Sequence, residues 1–309
     1  MGHSGNSRPR RFANTSRGPL ALLLTVTIWG SSYVVTKSAL SEIGPFALNV
    51  ARFVIAFAIL APLAHGRGYR LRLSFQPTFL RFGLTGVALF YGLQNLGLRY
   101  TSAVNTVLVQ TTIPAVTALL AVWLLKERLG RAQIAGIALA LVGTAIVALA
   151  GGGSRDAPRP LMGNALIVGT VIAWAVYTIQ GKKLSAQYPA LVSTTAAIGA
   201  GLAILLPLGV GELALGGLPR LSGQAGGAVL FLGVVASALP MFLWNYALDS
   251  VPASVASLYL NLIPVVGVAL ALLTGETISA GQLAGGLLTL VGVWVSGRAA
   301  AAQRPSGAD

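Results

Sequence analysis

Residues 91–103 read YGLQNLGLRYTSA, and residues 241–253 read MFLWNYALDSVPA. Laid together, they set Asn95 opposite Asn245 and Ala103 opposite Ala253. The same offset pairs Ile113-Pro114 with Ile263-Pro264 further along. After one residue of slippage, Glu127 pairs with Glu276, Gly136 with Gly285 and Gly143 with Gly292. Toward the N-terminus, Trp29 pairs with Trp174 and Pro62 with Pro207. The chain therefore reads as a duplication, with halves at 19–150 and 161–298.

Each half is built from apolar blocks. Of the 309 residues, 55% are hydrophobic and 9% charged, with a mean hydropathy of +0.78. A soluble domain carries about 25% charged residues, so this chain has too little charge to solvate a globule of its size. The blocks are about 20 residues long, the length that crosses a ~30 Å hydrocarbon core at 1.5 Å per residue. They predict an all-α integral membrane protein of ten transmembrane helices, at 19–40, 46–64, 78–98, 101–124, 130–150, 161–181, 190–210, 224–247, 253–273 and 279–298. Gly44-Pro45, 66–68, 151–160 and 216–219 punctuate the connections. Residues 1–18 form a basic, disordered tail and 299–309 a second polar tail. The first apolar block is too long for the core of a signal peptide and reads as a retained helix.

Five blocks per half is an odd number, so the two halves enter the membrane from opposite sides. With the N-terminus in the cytoplasm, most of the 21 basic residues fall inside. Arg99, Arg155, Arg159 and Arg220 fall outside. That bias places both termini in the cytoplasm of a multi-pass protein of the cell (inner or plasma) membrane. The connection KERLGR of the first half carries three basic residues and its counterpart GETISA none, as inversion requires. Arg99 runs weakly against the pattern. Inverted repeats recur in secondary transporters, where two related halves exchange conformations to give alternating access.

The net charge of +14 does not indicate nucleic-acid binding, because the basic residues sit in short gaps between apolar blocks rather than on one surface. With no cysteine and only His3 and His65, neither disulfides nor a multi-histidine metal site is expected, and no cofactor is implied. No phosphate loop of the GxxxxGK type occurs, which speaks against ATP-driven pumping by this chain. The acidic residues (Glu42, Glu127, Asp156, Glu212, Asp249, Glu276, Asp309) all fall in loops, tails or helix ends. No mid-membrane carboxylate is left for a proton relay. Glu127 and Glu276 read as structural carboxylates at helix N-termini.

The stretch WGSSYVVTKSAL followed by ARFVIAF, the Pro114 helix leading into LLKERLG, and the Pro264 helix leading into LLTGETIS resemble the EamA-type members of the drug/metabolite transporter superfamily. The resemblance covers roughly residues 20 to 298. It implies ten helices in two inverted five-helix repeats and transport of small metabolites, often export of amino acids or related compounds. Lys126 departs from it where the family often has Gly; the second half keeps Gly275-Glu276.

Polar side chains are costly in a bilayer unless they face protein or a water-filled path, so polar stripes mark the candidate path. Trp29, Tyr33 and Lys37 share a face of the first helix; Tyr91, Gln94 and Asn95 share one on the third. Gln110 and Pro114 lie on the fourth, Trp174, Tyr177 and Gln180 on the sixth, Trp244 and Asn245 on the eighth, and Ser257 and Asn261 on the ninth. This aromatic and amide wall suits a small organic solute. For each aromatic, an interfacial belt or helix packing is the competing explanation. For each amide it is interhelical bonding. Lys37 has two readings, solute contact or snorkelling to the interface. Arg52 is either a counter-charge for a carboxylate or a structural group, paired with Glu42 or clamping carbonyls. Pro114 and Pro264, as a matched pair, are hinge candidates or static kinks. Glycines on the fifth and tenth helices predict a packed scaffold, with a homodimer face as an additional expectation.

The expected function is a secondary transporter or facilitator that moves a small organic metabolite by alternating access. The alternatives are a channel-like facilitator and a non-transporting membrane receptor or scaffold. An enzyme is not expected, since no nucleophile–base pair, carboxylate pair or metal cluster falls within the apolar blocks. The partners expected are the lipid bilayer and a small-molecule solute, with no nucleic acid. Asn95→Ala or Trp174→Ala is expected to cut flux while leaving membrane insertion intact.

Overall fold

The computed structural model describes residues 17–125, 130–150, 158–219, 221–251, 253–273, 275 and 277–302. Glu127, Glu276 and most of the two tails lie outside these described residues. The first half runs α1 (Arg17–Ala39), α2 (Pro45–His65) and a 3-10 turn at Leu71–Phe75. Next, α3 (Pro77–Gly83) passes through a π-helical stretch, Leu84–Leu89, into α4 (Phe90–Leu98). Then come α5 (Ala103–Gln110), α6 (Ile113–Leu125) and α7 (Arg131–Ala150). The second half repeats the order: α8 (Pro160–Ser185), α9 (Ala190–Gly216), then α10 (Gly223–Gly233) through a π-helical stretch at Val234–Ala238 into α11 (Leu239–Ser250). It closes with α12 (Ala253–Tyr259), a 3-10 turn at Leu260–Leu262, α13 (Ile263–Leu273) and α14 (Ala280–Ala302).

The helix starts have local causes. Pro45, Pro77 and Pro160 occupy the first turns of α2, α3 and α8, where the missing N–H has no intrahelical partner to lose. Ser102 and Ser222 cap α5 and α10, their hydroxyls accepting from the Asn105 and Ala225 amides at 3.0 and 3.1 Å. At the end of α9, Gly217 adopts φ 76°, a conformation that costs a side-chain-bearing residue and stops the helix.

Four apolar blocks are not the continuous α-helices their composition suggests. Block 101–124 is two helices, because Pro114 offers no N–H and its ring would press on the carbonyl four residues back, that of Gln110. The helix ends at Gln110 and restarts at Ile113, leaving Pro114 in a first turn. Pro264 does the same to block 253–273, where α12 stops before the 3-10 turn and α13 restarts at Ile263. The expected kinks are thus helix breaks. Blocks 78–98 and 224–247 each contain a π-helical stretch, Leu84–Leu89 and Val234–Ala238, at the same place in each half.

Among the described residues, six helical stretches are long and apolar enough to cross a bilayer: Arg17–Ala39, Pro45–His65, Ala103–Leu120, Pro160–Ser185, Ala190–Gly216 and Gly223–Ser250. The polarity runs inside-out. Leu63 and Leu149 are 60% and 74% exposed, while Arg52, Asn95 and Asn105 are at most 1% exposed. An outward apolar coat over buried amides and a buried guanidinium is what lipid demands and water would punish. The chain is an all-α, multi-pass membrane protein.

The two halves interdigitate. α1 packs on α11 and α13 of the second half, and its counterpart α8 packs on α4 and α6 of the first. α2 lies against α9 and α7 against α14. Lipid gives no hydrophobic drive for helix association, so close van der Waals contact through small residues carries it. In the α7–α14 pair, a Cβ added to Gly143 would stand 2.6 Å from the Gly285 carbonyl oxygen, and one on Gly285 would stand 2.7 Å from that of Gly143.

Candidate functional site

The centre of the molecule holds three tryptophans, one from each of α1, α8 and α11. Trp29 meets Trp174 edge-on with ring centroids 5.0 Å apart. Trp244 lies 5.7 Å from Trp29 and 5.6 Å from Trp174. Trp174 also packs on Phe90 at 4.6 Å. A tryptophan four residues past Thr25 on α1 and one four residues past Thr170 on α8 meet here because each helix crosses into the opposite half. The pairing of Trp29 with Trp174, visible in the sequence, is therefore a physical contact.

A small cavity opens beside this cluster. Trp29, Tyr33, Tyr91, Gln94, Gln110 and Trp174 line it, and all six were singled out from the sequence. The remaining wall is Ser32 and apolar side chains, including Phe90, Val107, Ile113 and Leu260. The break before Pro114 places Gln110 and Ile113 on it, and the 3-10 turn before Pro264 places Leu260 and Ile263 there. Enclosed space is about 20 Å³, room for one water-sized molecule. A metabolite fits only when these side chains separate. The Tyr33 hydroxyl donates to Gln110 Oε1. Gln110 Nε2 donates to Thr170 Oγ1 at 2.8 Å and Gln94 Oε1 at 3.2 Å. One polar network thus ties α1, α4, α5 and α8 together around the cavity.

Other candidates lie elsewhere. Asn95 and Asn245 are bracing residues by their contacts. Asn95 Nδ2 donates to Asn49 Oδ1 at 2.8 Å, linking α4 to α2. Asn245 Nδ2 donates to Thr194 Oγ1 at 2.9 Å, linking α11 to α9, and to the Tyr177 hydroxyl at 2.7 Å. Tyr177 stacks on Phe82 at 4.2 Å and packs its ring against Gly86 in the first π-helical stretch. Gln180 reaches Thr85 Oγ1 at 3.5 Å. Ser257 donates to the Ala253 carbonyl at 2.9 Å, and Asn261 is half-buried. Sequence reasoning passed over Asn49 and Thr170. The signal for Asn49 was present: a lone amide in an apolar helix, at the position that pairs with Thr194.

The two charges inside apolar blocks meet different surroundings. Lys37 Nζ donates to the carbonyls of Leu98 and Thr101, at 2.8 and 2.6 Å, where α4 ends. Lys182, its partner in the duplication, donates to Leu248 and Val251 at 2.7 and 3.2 Å, where α11 ends. Arg52 is 1% exposed. Its Nε donates to Ser237 Oγ at 2.7 Å and its Nη2 to the Ala236 carbonyl at 3.3 Å. Ala236 stands four residues before Pro240, which cannot bond back to that carbonyl. The guanidinium carbon lies 4.6 Å from the centroid of the Tyr91 ring. Glu42 is not its counter-ion: both Glu42 carboxylate oxygens accept from Ser222, at the cap of α10, at 2.7 and 2.8 Å. Glu212 accepts from the Phe46 and Ala47 amides at the start of α2, at 2.9 and 2.8 Å. No His, Cys, Asp and Glu cluster that could hold a metal occurs among the described residues.

The model of the EamA-like transporter family matches residues 16–149 and again 161–298. The chain belongs to the EamA-like transporter family. Both halves carry the family's unit, so its membership of the drug/metabolite transporter superfamily rests on the whole chain. A probable terminal-alkyne amino-acid exporter of Streptantibioticus cattleyicolor is 32% identical over 92% of this chain and 94% of its own length. A probable amino-acid metabolite efflux pump of Salmonella typhimurium is 29% identical, over 89% of this chain and 92% of its own. An uncharacterized transporter of Archaeoglobus fulgidus is 29% identical over 89% and 97%. A crystal structure at 20% identity superposes with a TM-score of 0.67, covering 92% of this EamA-type chain and 98% of that one. The protein is a membrane transporter.

Proposed function

We propose that this transporter is a carrier that moves an amino-acid-like metabolite outward by alternating access. In this reading, two inverted five-helix units at 19–150 and 161–298 exchange conformations around the central cavity. Both termini face the cytoplasm of the cell membrane. The observation that carries it is the reciprocal packing of the halves. α1 rests on α11 and α13 just as α8 rests on α4 and α6, so Trp29 and Trp174 enter one site from related directions. Rocking one unit on the other would open that site to either face in turn. The breaks before Pro114 and Pro264 act as hinges, since each leaves a short helix and its neighbour free to change angle where they touch the cavity. The amino-acid character of the solute rests on the two related exporters named above.

In the carrier, Tyr33, Gln94 and Gln110 contact polar groups of the solute, Phe90 and Ile113 its apolar part, and Trp29 and Trp174 close the site around it. Lys37 and Lys182 hold the α4 and α11 carbonyls, and Asn95 and Asn245 brace the frame. Radiolabelled amino-acid flux into proteoliposomes tests the proposal. Saturable uptake with counterflow is expected, and Trp174→Ala is expected to cut it at least tenfold with normal membrane insertion. Non-saturating flux without counterflow would replace the carrier with a channel.

A further inference from the structure

The residues around the cavity have bonding capacity left over, and each side-chain atom there that lacks any partner can donate. Among the described residues, the Trp29 and Trp174 indole nitrogens and the Tyr91 hydroxyl have no hydrogen-bond partner. The Trp29 indole lies near the Tyr91 hydroxyl, close enough to interact but without the geometry of a full hydrogen bond. Trp244, packed against both other indoles, also has an unpartnered Nε1. Each indole N–H can only donate. The two amide oxygens on the lining each already accept one bond, Gln110 Oε1 from Tyr33 and Gln94 Oε1 from Gln110. Behind Tyr91 lies Arg52, whose guanidinium sits against the ring and keeps Nη1 without a partner. Glu42 and Glu212 are both spent on helix starts, and among the described residues Arg52 bonds to a hydroxyl and a carbonyl, not to a carboxylate. A buried cation left uncompensated by charge is expensive in a low-dielectric interior.

We infer that the wall formed by Trp29, Tyr91 and Trp174, backed by Arg52, is a subsite for a carboxylate. It deepens the carrier reading and rests on it. An anion there gains several N–H and O–H bonds at once and compensates the guanidinium one ring away. The Arg52 guanidinium, against the Tyr91 ring, adds its positive field to the donors that meet the anion. An uncharged acceptor would pair these donors without compensating Arg52, and a purely cationic solute would do neither.

The test is counterflow in proteoliposomes with four matched sets of three- to six-carbon compounds: 2-amino acids, fatty carboxylates, amino alcohols and amines. The two carboxylate sets are expected to exchange at least tenfold better than the two sets without one. Tyr91→Phe, which keeps the ring and removes one donor, and Trp174→Phe, which removes the indole donor and shrinks the ring, are each expected to weaken the carboxylates about tenfold more than the alcohols. Arg52→Gln should abolish the preference, and the two phenylalanine variants decide the matter should it fail to fold. Equal exchange with and without a carboxylate would overturn the subsite and leave the carrier standing. If nothing exchanges, thermal stabilisation by the same compounds decides. Stabilisation by carboxylates alone keeps the subsite and removes the carrier; none by any carboxylate removes the subsite.

Discussion

At the scale of single residues, polar groups in this bilayer protein are spent on helix ends before they are spent on solute. Lys37 and Lys182 each satisfy two carbonyls that their helices leave open. Lys37→Met and Lys182→Met are expected to cost about 1–3 kcal/mol each, read as similar drops in the thermal unfolding midpoint in detergent. A large loss for one alone would break their equivalence. Glu42 gives a pH signature. The Ser222 amide first, and then the Ser222 hydroxyl, hold its carboxyl below the ordinary carboxylate range. A lowered native pKa adds stability above the unfolded value of about 4.3, and that stability is lost as pH falls through the native value. Glu42→Gln should flatten this acid limb in pH-dependent melting; an unchanged limb would mean the bond is not formed. The sequence exposed the candidates because charges and amides stand out in apolar blocks. It could not tell Gln110 from Asn95, since one faces the cavity and the other Asn49, and that depends on which helix lies opposite.

At the scale of elements, the blocks were legible because crossing a bilayer fixes their length, and the proline breaks were half-legible. Pro114 and Pro264 announce a disturbance, but whether a helix bends or stops depends on what holds the fragments. The π-helical stretches LTGVAL and VVASA carry no composition signal. Their extra residue is stabilised by contacts from other helices: Tyr177 against Gly86, and Arg52 on Ala236 and Ser237. The scaffold pair α7–α14 depends on backbone proximity. Gly143→Val is expected to cost at least about 1–3 kcal/mol through overpacking, because the neighbour is the Gly285 backbone rather than a side chain that can turn away. Wild-type thermal stability for that variant would show the two helices are not held this closely.

At the scale of the whole molecule, the duplication read from residues 91–103 and 241–253 returns as reciprocal contact. The equivalent bonds of Lys37 and Lys182, and of Asn95 and Asn245, follow the same correspondence. That geometry gives one central site two related walls, the arrangement on which the proposed alternating-access carrier depends. Everything in the account depends on the two halves facing opposite ways across the bilayer. The chain has no native cysteine, so single thiols can report this without background. Ser41 and Ala186 are exposed and occupy matching turns, after α1 and after α8. In intact cells, a membrane-impermeant thiol reagent should label Ser41→Cys directly and Ala186→Cys only after the membrane is opened. Labelling of both from the same side would contradict the inverted arrangement and the carrier mechanism built on it.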